Sequence, residues 1–364
     1  MSSTDGFVAW LWSRIEASTA PVQAGLGVLR FLSGLFLLFF SAPYLSWVNG
    51  APPAYYNPPL LSLGRLFPGF PPAWATWTLD ALLLGLCAAV SLGVYARRAT
   101  LLLFALSLLR SNIAYSFGKI DHDIVIYVFF GCMAFSGWGK QLALIPDRPS
   151  RFDAPRHAFA LLGLCLAYAM TSVGLQKALN WLDFNSNTSG FLGWFLQGYF
   201  EYNRTALLAP YVLDVPRPLL ELVDYAGVIF EVSCFVTLLL GRLPFRIWLA
   251  CACAFHLMNT LTLNIPFFEH LLVYFAFVDF SAAQARFASF WRRPAARVLC
   301  AAVVSGFPIA HLLLRLAGHG SSFLFFVDKR RDQLTLLYAS AVCWAFGLLV
   351  MLLEIARQRR RVKT

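Results

Sequence analysis

The chain has 364 residues, of which 59% are hydrophobic and only 13% charged, and a formal net charge of +11. A soluble globular chain carries about 25% charged residues, so this apolar excess rules out a single water-soluble domain. Lys and Arg fall in short clusters between apolar stretches, a membrane-topology pattern that argues against nucleic acid as a partner.

In chain order, residues 1–20 read as a cytoplasmic N-terminal segment. No basic start runs into a cleavage site there, so no cleaved signal peptide is expected. Apolar stretches near spanning length then recur at roughly 21–41, 77–95, 99–117, 123–139, 157–175, 221–240, 244–262, 266–280, 297–316 and 334–354. The fold expected is an all-α polytopic membrane protein, a helical bundle of nine or ten transmembrane segments. The stretch 266–280 is short and has Pro266 near its start, which suits a tilted or protein-packed segment. "FLGWFLQGYF" (191–200) is too short to span and reads as re-entrant or interfacial. "FLFFV" (323–327) raises the same question. Residues 21–285 form the main membrane domain, 286–354 add C-terminal membrane segments, and 355–364 form a basic cytoplasmic tail.

The basic clusters alternate along the chain: Arg97 and Arg98; Lys140, Arg148, Arg151 and Arg156; Arg242 and Arg246; Arg286, Arg292, Arg293 and Arg297; then the tail. All lie on one side if both termini are cytoplasmic, as the positive-inside rule requires. Lys329, Arg330 and Arg331 are an exception on the other side. The long opposite connections, such as "GAPPAYYNPPLLSLGRLFPGFPPAW" (50–74), are rich in Pro and aromatics, and function is expected on that outer side. The eight cysteines lie in apolar stretches and read as buried small hydrophobes.

An ionisable group in hydrocarbon is costly and finds a protein or water partner. Glu231 and His256 are therefore candidates, and as neighbours in a helical hairpin they could pair. Asn259 shares a helix face with His256 at i+3, offering imidazole plus amide to a polar headgroup or a developing oxyanion. Lys177, in "GLQKALN", ends a span. Snorkelling is its ordinary explanation, whereas a desolvated amine can serve as general base. Trp181 and segment 191–200 could keep water from it. His122 lies between Asp121 and Asp123; consecutive side chains converge poorly on one ion, so proton handling suits it better than a metal. No metal is expected, and no phosphate-binding or nucleophile-elbow motif occurs.

Three runs carry a resemblance: "SFGKIDHDIVIYVFFGCMAFSGWGKQLAL" (116–144), "SVGLQKALNW" (172–181) and "FHLMNTLTLNIPFFEHLLVYFAFVDF" (255–280). Together they resemble the membrane domain of vitamin K-dependent gamma-carboxylases and their bacterial relatives, the HTTM proteins, over about residues 15–285. The resemblance implies a bacterial inner-membrane protein that handles a reduced quinone. Lys177 corresponds to the lysine that deprotonates reduced vitamin K in that family. His122 corresponds to a histidine at the reaction centre, and His256 and Asn259 to the FHxMN pair. The departure lies after residue 285, where no large soluble domain follows, so processive carboxylation of a large protein is not expected.

The leading expectation is a quinol-linked modifying enzyme acting at the outer face. Lys177, His122 and His256 would be catalytic; Asn259, Glu231, Asp121 and Trp181 would bind substrate. The alternative is a non-catalytic maturation, export or immunity factor for a small secreted peptide. A transporter ranks third, because no inverted repeat or paired broken spans are evident. Membrane lipid or quinone is the expected partner in the first case, and the peptide in the second.

Overall fold

The computed structural model describes residues 3–118, 124–183, 185, 187–318 and 332–363. The helices in chain order are α1 (Ser3–Thr19), α2 (Leu26–Phe40), α3 (Ala73–Leu92), α4 (Ala96–Ala114), α5 (Ile124–Met133), α6 (Pro155–Trp181) and α7 (Gly190–Leu196). They continue as α8 (Ala209–Val212), α9 (Arg217–Leu240), α10 (Arg242–Leu263), α11 (Leu271–Phe275), α12 (Ser281–Trp291), α13 (Pro294–Leu316) and α14 (Gln333–Lys363). Among the described residues, apart from short 3-10 and π turns, one isolated parallel bridge joins Val94 and Ile145.

Seven helical stretches among the described residues are long and apolar enough to cross a membrane: Gln23–Phe40, Ala73–Leu92, Ala96–Phe117, Pro155–Trp181, Arg217–Leu240, Pro294–Leu316 and Gln333–Arg360. The chain is thus a helical, multi-pass membrane protein in its architecture. Helix α10 has spanning length at 22 residues, but Arg246, His256 and Asn259 lower its mean hydropathy.

Two expected spans come out short. Over 123–139 the helix α5 has ten residues; Ser136 and Gly137, the latter at φ +74, turn the chain behind it. Over 266–280 a 3-10 turn, Phe268–His270, leads into the five-residue α11. Asn264 ends α10 in the left-handed region at φ 53, and Pro266 has no N–H with which to continue a helix. The region 191–200 forms α7 followed by a π turn, Gln197–Glu201. At 1.5 Å per residue, seven residues of α7 span about 10 Å, too short to cross. The N-terminal segment, by contrast, is a 17-residue helix.

The chain divides into two compact units that interleave in sequence. The first contains residues 1–20, 159–278 and 333–364. In it, α1 lies against α9, with Arg14 Nε donating to the Leu239 carbonyl at 3.1 Å. Gly163 of α6 meets the Thr19 side chain, so the end of α1, the start of α6 and the end of α9 gather at one end. Helix α14 runs along α10, joined by Thr260 and Ser340, whose hydroxyls are 3.2 Å apart.

The second unit contains residues 21–158 and 279–332. Its α2 and α3 close on each other at Gly34, where a Cβ would lie 2.6 Å from the Cys87 carbonyl oxygen. Arg30 is fully buried in α2. Its guanidinium carries five N–H groups, and these reach the carbonyls of Val90, Ser91, Trp138, Gln141 and Leu142. Those of Val90 and Ser91 belong to the last turn of α3, where carbonyls run short of helical donors; that of Val90 also accepts the Gly93 N–H at 3.1 Å. Elsewhere in this unit Asp80 accepts from the Leu45 N–H at 2.5 Å and from Arg315 Nη1 at 3.2 Å. Arg315 also stacks its guanidinium 4.0 Å from the Tyr44 ring centroid. One turn back on α13, His311 Nε2 donates to the Leu38 carbonyl at 2.6 Å.

Candidate functional site

The candidate site lies in the first unit and begins with two residues on α6. Gly174 and Lys177 are three apart and share a helix face. A Cβ on Gly174 would lie 2.8 Å from the Glu231 Cβ and 2.9 Å from Val232 Cγ2. Glycine there lets α9 approach α6 at the level of Glu231. One turn on, Lys177 Nζ donates to Glu231 Oε1 at 2.5 Å. The Lys177 side chain is 19% exposed and that of Glu231 5%. The G-x-x-K spacing thus joins a close helix contact to a nearly dry ion pair.

Trp181 lies one turn beyond Lys177 and places its ring centroid 5.0 Å from Nζ, in cation–π range. Its indole abuts Gly190, where any Cβ would overlap the ring, and meets Trp194 edge-on at 6.5 Å. Asp224, seven residues before Glu231 on the same helix, accepts the N–H groups of Gly190 and Phe191 at 2.9 and 2.8 Å. This ties the start of α7 to α9 and satisfies orphan helix donors. Trp181 therefore stands beside the amine, and Gly190 and Trp194 stand against Trp181. In the turn between α6 and α7, the Thr188 hydroxyl and the Asn185 N–H hold the Asp183 carboxyl below the usual carboxylate range.

The second group surrounds His256 on α10. Its Nε2 lies 2.8 Å from the Tyr274 hydroxyl. The Trp344 ring stacks on the imidazole at 4.6 Å, and His270 lies parallel at 5.7 Å. Phe255 and Phe267 meet it edge-on. His256, Tyr274 and Trp344 are all buried. Both groups lie in the first unit, on α6, α9, α10, α11 and α14. Glu231 and His256, neighbours in the α9–α10 hairpin, each have a bonded partner: Lys177 for Glu231 and Tyr274 for His256.

Asn259 is half-buried, and no side-chain hydrogen bond of its amide occurs among the described residues. Its carbonyl accepts the Asn264 N–H at the end of α10, which gives the asparagine a place beside the helix terminus. His122 and Asp121 lie outside the described residues. Among the described residues no group of three or more His, Cys, Asp or Glu is placed to hold a metal ion.

Tyr274, Trp344 and Gly174 carry much of this geometry without having been candidates. Gly174 had a signal, since it shares a helix face with the charged residue. Tyr274 and Trp344 are aromatic residues in apolar runs, where nothing distinguishes a site wall from ordinary packing. No protein-family model, curated protein or solved structure matches the chain, so the family resemblance rests on the three runs quoted above alone.

Proposed function

We propose that the Lys177–Glu231 pair is a proton-accepting centre for a hydroxyl on a membrane-soluble substrate, in a multi-pass protein of a bacterial inner membrane with both termini cytoplasmic. The observation that supports it is the short, poorly hydrated amine–carboxylate contact beside the face of Trp181. A pair is needed, because an amine alone must lose its proton before it can take another. Here Lys177 passes its shared proton to Glu231 as it takes one from the hydroxyl. The reformed ammonium then faces the oxygen left negative, where low dielectric strengthens its attraction.

The substrate class is the reduced quinone that the resemblance implies. When bound, such a group supplies acidic hydroxyls and an electron pair. The residues fit it: Lys177 is reachable on its exposed flank, Trp181 offers an aromatic face, and His256 and Tyr274 add a polar pair in the same unit. The proposed topology counts α10 as an eighth span, since its 22 residues extend about 33 Å. The short α5 and α11 regions would bring the total to the ten segments of the sequence reading.

The test is oxidation of a reduced naphthoquinone under oxygen by purified full-length protein, comparing wild type with Lys177→Met and Glu231→Gln. Loss of one catalytic proton-transfer group typically costs about 10²–10⁴-fold, and a fall of that size is expected in both variants. An unchanged rate in Lys177→Met removes the lysine from the reaction. No turnover in a folded wild type, together with association with a small secreted peptide, would support the non-catalytic maturation, export or immunity reading instead.

A further inference from the structure

The second unit holds a cavity of about 240 Å³ at the start of α2, lined among others by Gln23, Gly27, Trp138, Lys140, Gln141 and Asp153. It lies at the end of the unit where α2 begins, where α3 hands over to α4 and where α6 starts. Trp138 is 1% exposed, and its indole Nε1–H has no hydrogen-bond acceptor among the described residues. A buried donor without an acceptor costs free energy that a bound acceptor would recover. The other side of the indole is filled by Phe129 and Phe130 at 5.9 and 6.3 Å.

The charges around the cavity favour an anion. Lys140 Nζ lies 2.9 Å from Asp153 Oδ2, and Arg97 pairs with the same carboxylate. Asp147 is taken up by the Arg97 backbone N–H at 2.9 Å. Arg30, Arg97 and Lys140 thus outnumber Asp147 and Asp153 by one. Beyond them stand exposed Arg98, Arg148, Arg151 and Arg156. Arg98 lies over Tyr95 at 6.0 Å and Arg151 over Phe152 at 5.0 Å. Exposed aromatic rings beside arginines at a span end suit the headgroup layer of a bilayer, and basic pockets there attract anionic lipids.

We propose that this cavity binds the phosphate headgroup of an anionic phospholipid, with the Lys140 ammonium and the Trp138 indole N–H as donors and the arginine rim as its electrostatic surround. The site is separate from the Lys177 centre and does not depend on its chemistry. The test is native mass spectrometry of the full-length protein in detergent, titrated with phosphatidylglycerol, phosphatidylcholine or inorganic phosphate.

The expected result is retention of phosphatidylglycerol over phosphatidylcholine, weakened about tenfold by Lys140→Gln or Trp138→Phe, the scale of one lost charge-assisted hydrogen bond. Millimolar inorganic phosphate should not displace the lipid. Equal retention of the two lipids, full retention in Lys140→Gln, or displacement by free phosphate would each overturn the proposal. Trp138 is a core residue and its variant can fail to fold. The Lys140 side chain is 40% exposed, so Lys140→Gln then carries the test by itself.

Discussion

At Gly174 the absence of one methyl group decides how closely two helices meet. Its missing Cβ faces the Glu231 Cβ, an atom fixed to the backbone of α9 that cannot rotate away. Gly174→Ala is expected to push α9 outward and to lower stability by about 1–3 kcal/mol, the usual cost of overpacking. Thermal unfolding in detergent would measure this, and quinol oxidation should fall with it; an Ala variant as stable as wild type would show that the contact relaxes freely. The ion pair makes a sharper prediction. Lys177→Met leaves a carboxylate buried without its cation, a loss of up to about 3–5 kcal/mol, whereas replacing both partners by apolar residues is often neutral. The double variant Lys177→Met/Glu231→Leu should therefore unfold at a higher temperature than Lys177→Met alone. The reverse order would mean that Glu231 is held by groups other than Lys177. Lys177, Glu231 and His256 were legible in the sequence because a polar group in an apolar span stands out. Trp344 was not, because an indole in an apolar helix looks the same whether it faces lipid, core or imidazole.

Among the elements, α2 depends on Arg30 more than on its own apolar face. All five guanidinium N–H groups reach backbone carbonyls at the end of α3 and in 138–142. Lysine has three donors on a single nitrogen and cannot reach carbonyls spread around a planar fork. Arg30→Lys is expected to cost at least about 3 kcal/mol by leaving buried carbonyls without donors, seen as a lower unfolding temperature in detergent. Unchanged thermal stability would show that water or a neighbour replaces the lost bonds. Lengths of the strongly apolar helices could be read from the sequence, since a span needs about 20 apolar residues. The shortness of α5 and of α11 could not. The apolar run continues past each helix end, but the backbone turns at Gly137 and starts late after Asn264 and Pro266. These are local conformational events that hydropathy averages away.

For the whole molecule, topology is the property most open to test. In a cysteine-free background, Leu61→Cys and Phe152→Cys place single thiols at exposed sites, 96% and 54% accessible. With both termini cytoplasmic, a membrane-impermeant thiol reagent should label Leu61→Cys in intact cells, and Phe152→Cys only after permeabilisation. The opposite pattern would invert the orientation and move the cavity at Trp138 to the outer face.

The composition and spacing of apolar residues by themselves determined that the chain is a helical membrane protein, because hydrocarbon accepts long runs of backbone only when the helix satisfies every N–H and C=O internally. They also marked the few ionisable residues inside those runs. Only the tertiary structure decided partners: that Glu231 meets Lys177, that His256 meets Tyr274 under Trp344, and that α14 joins α1, α6, α9 and α10 in one unit while residues 279–332 join the other. The reason is physical. Hydrophobic burial has no direction and favours many neighbours about equally, so the choice among them falls to close contacts and hydrogen bonds between residues far apart in sequence.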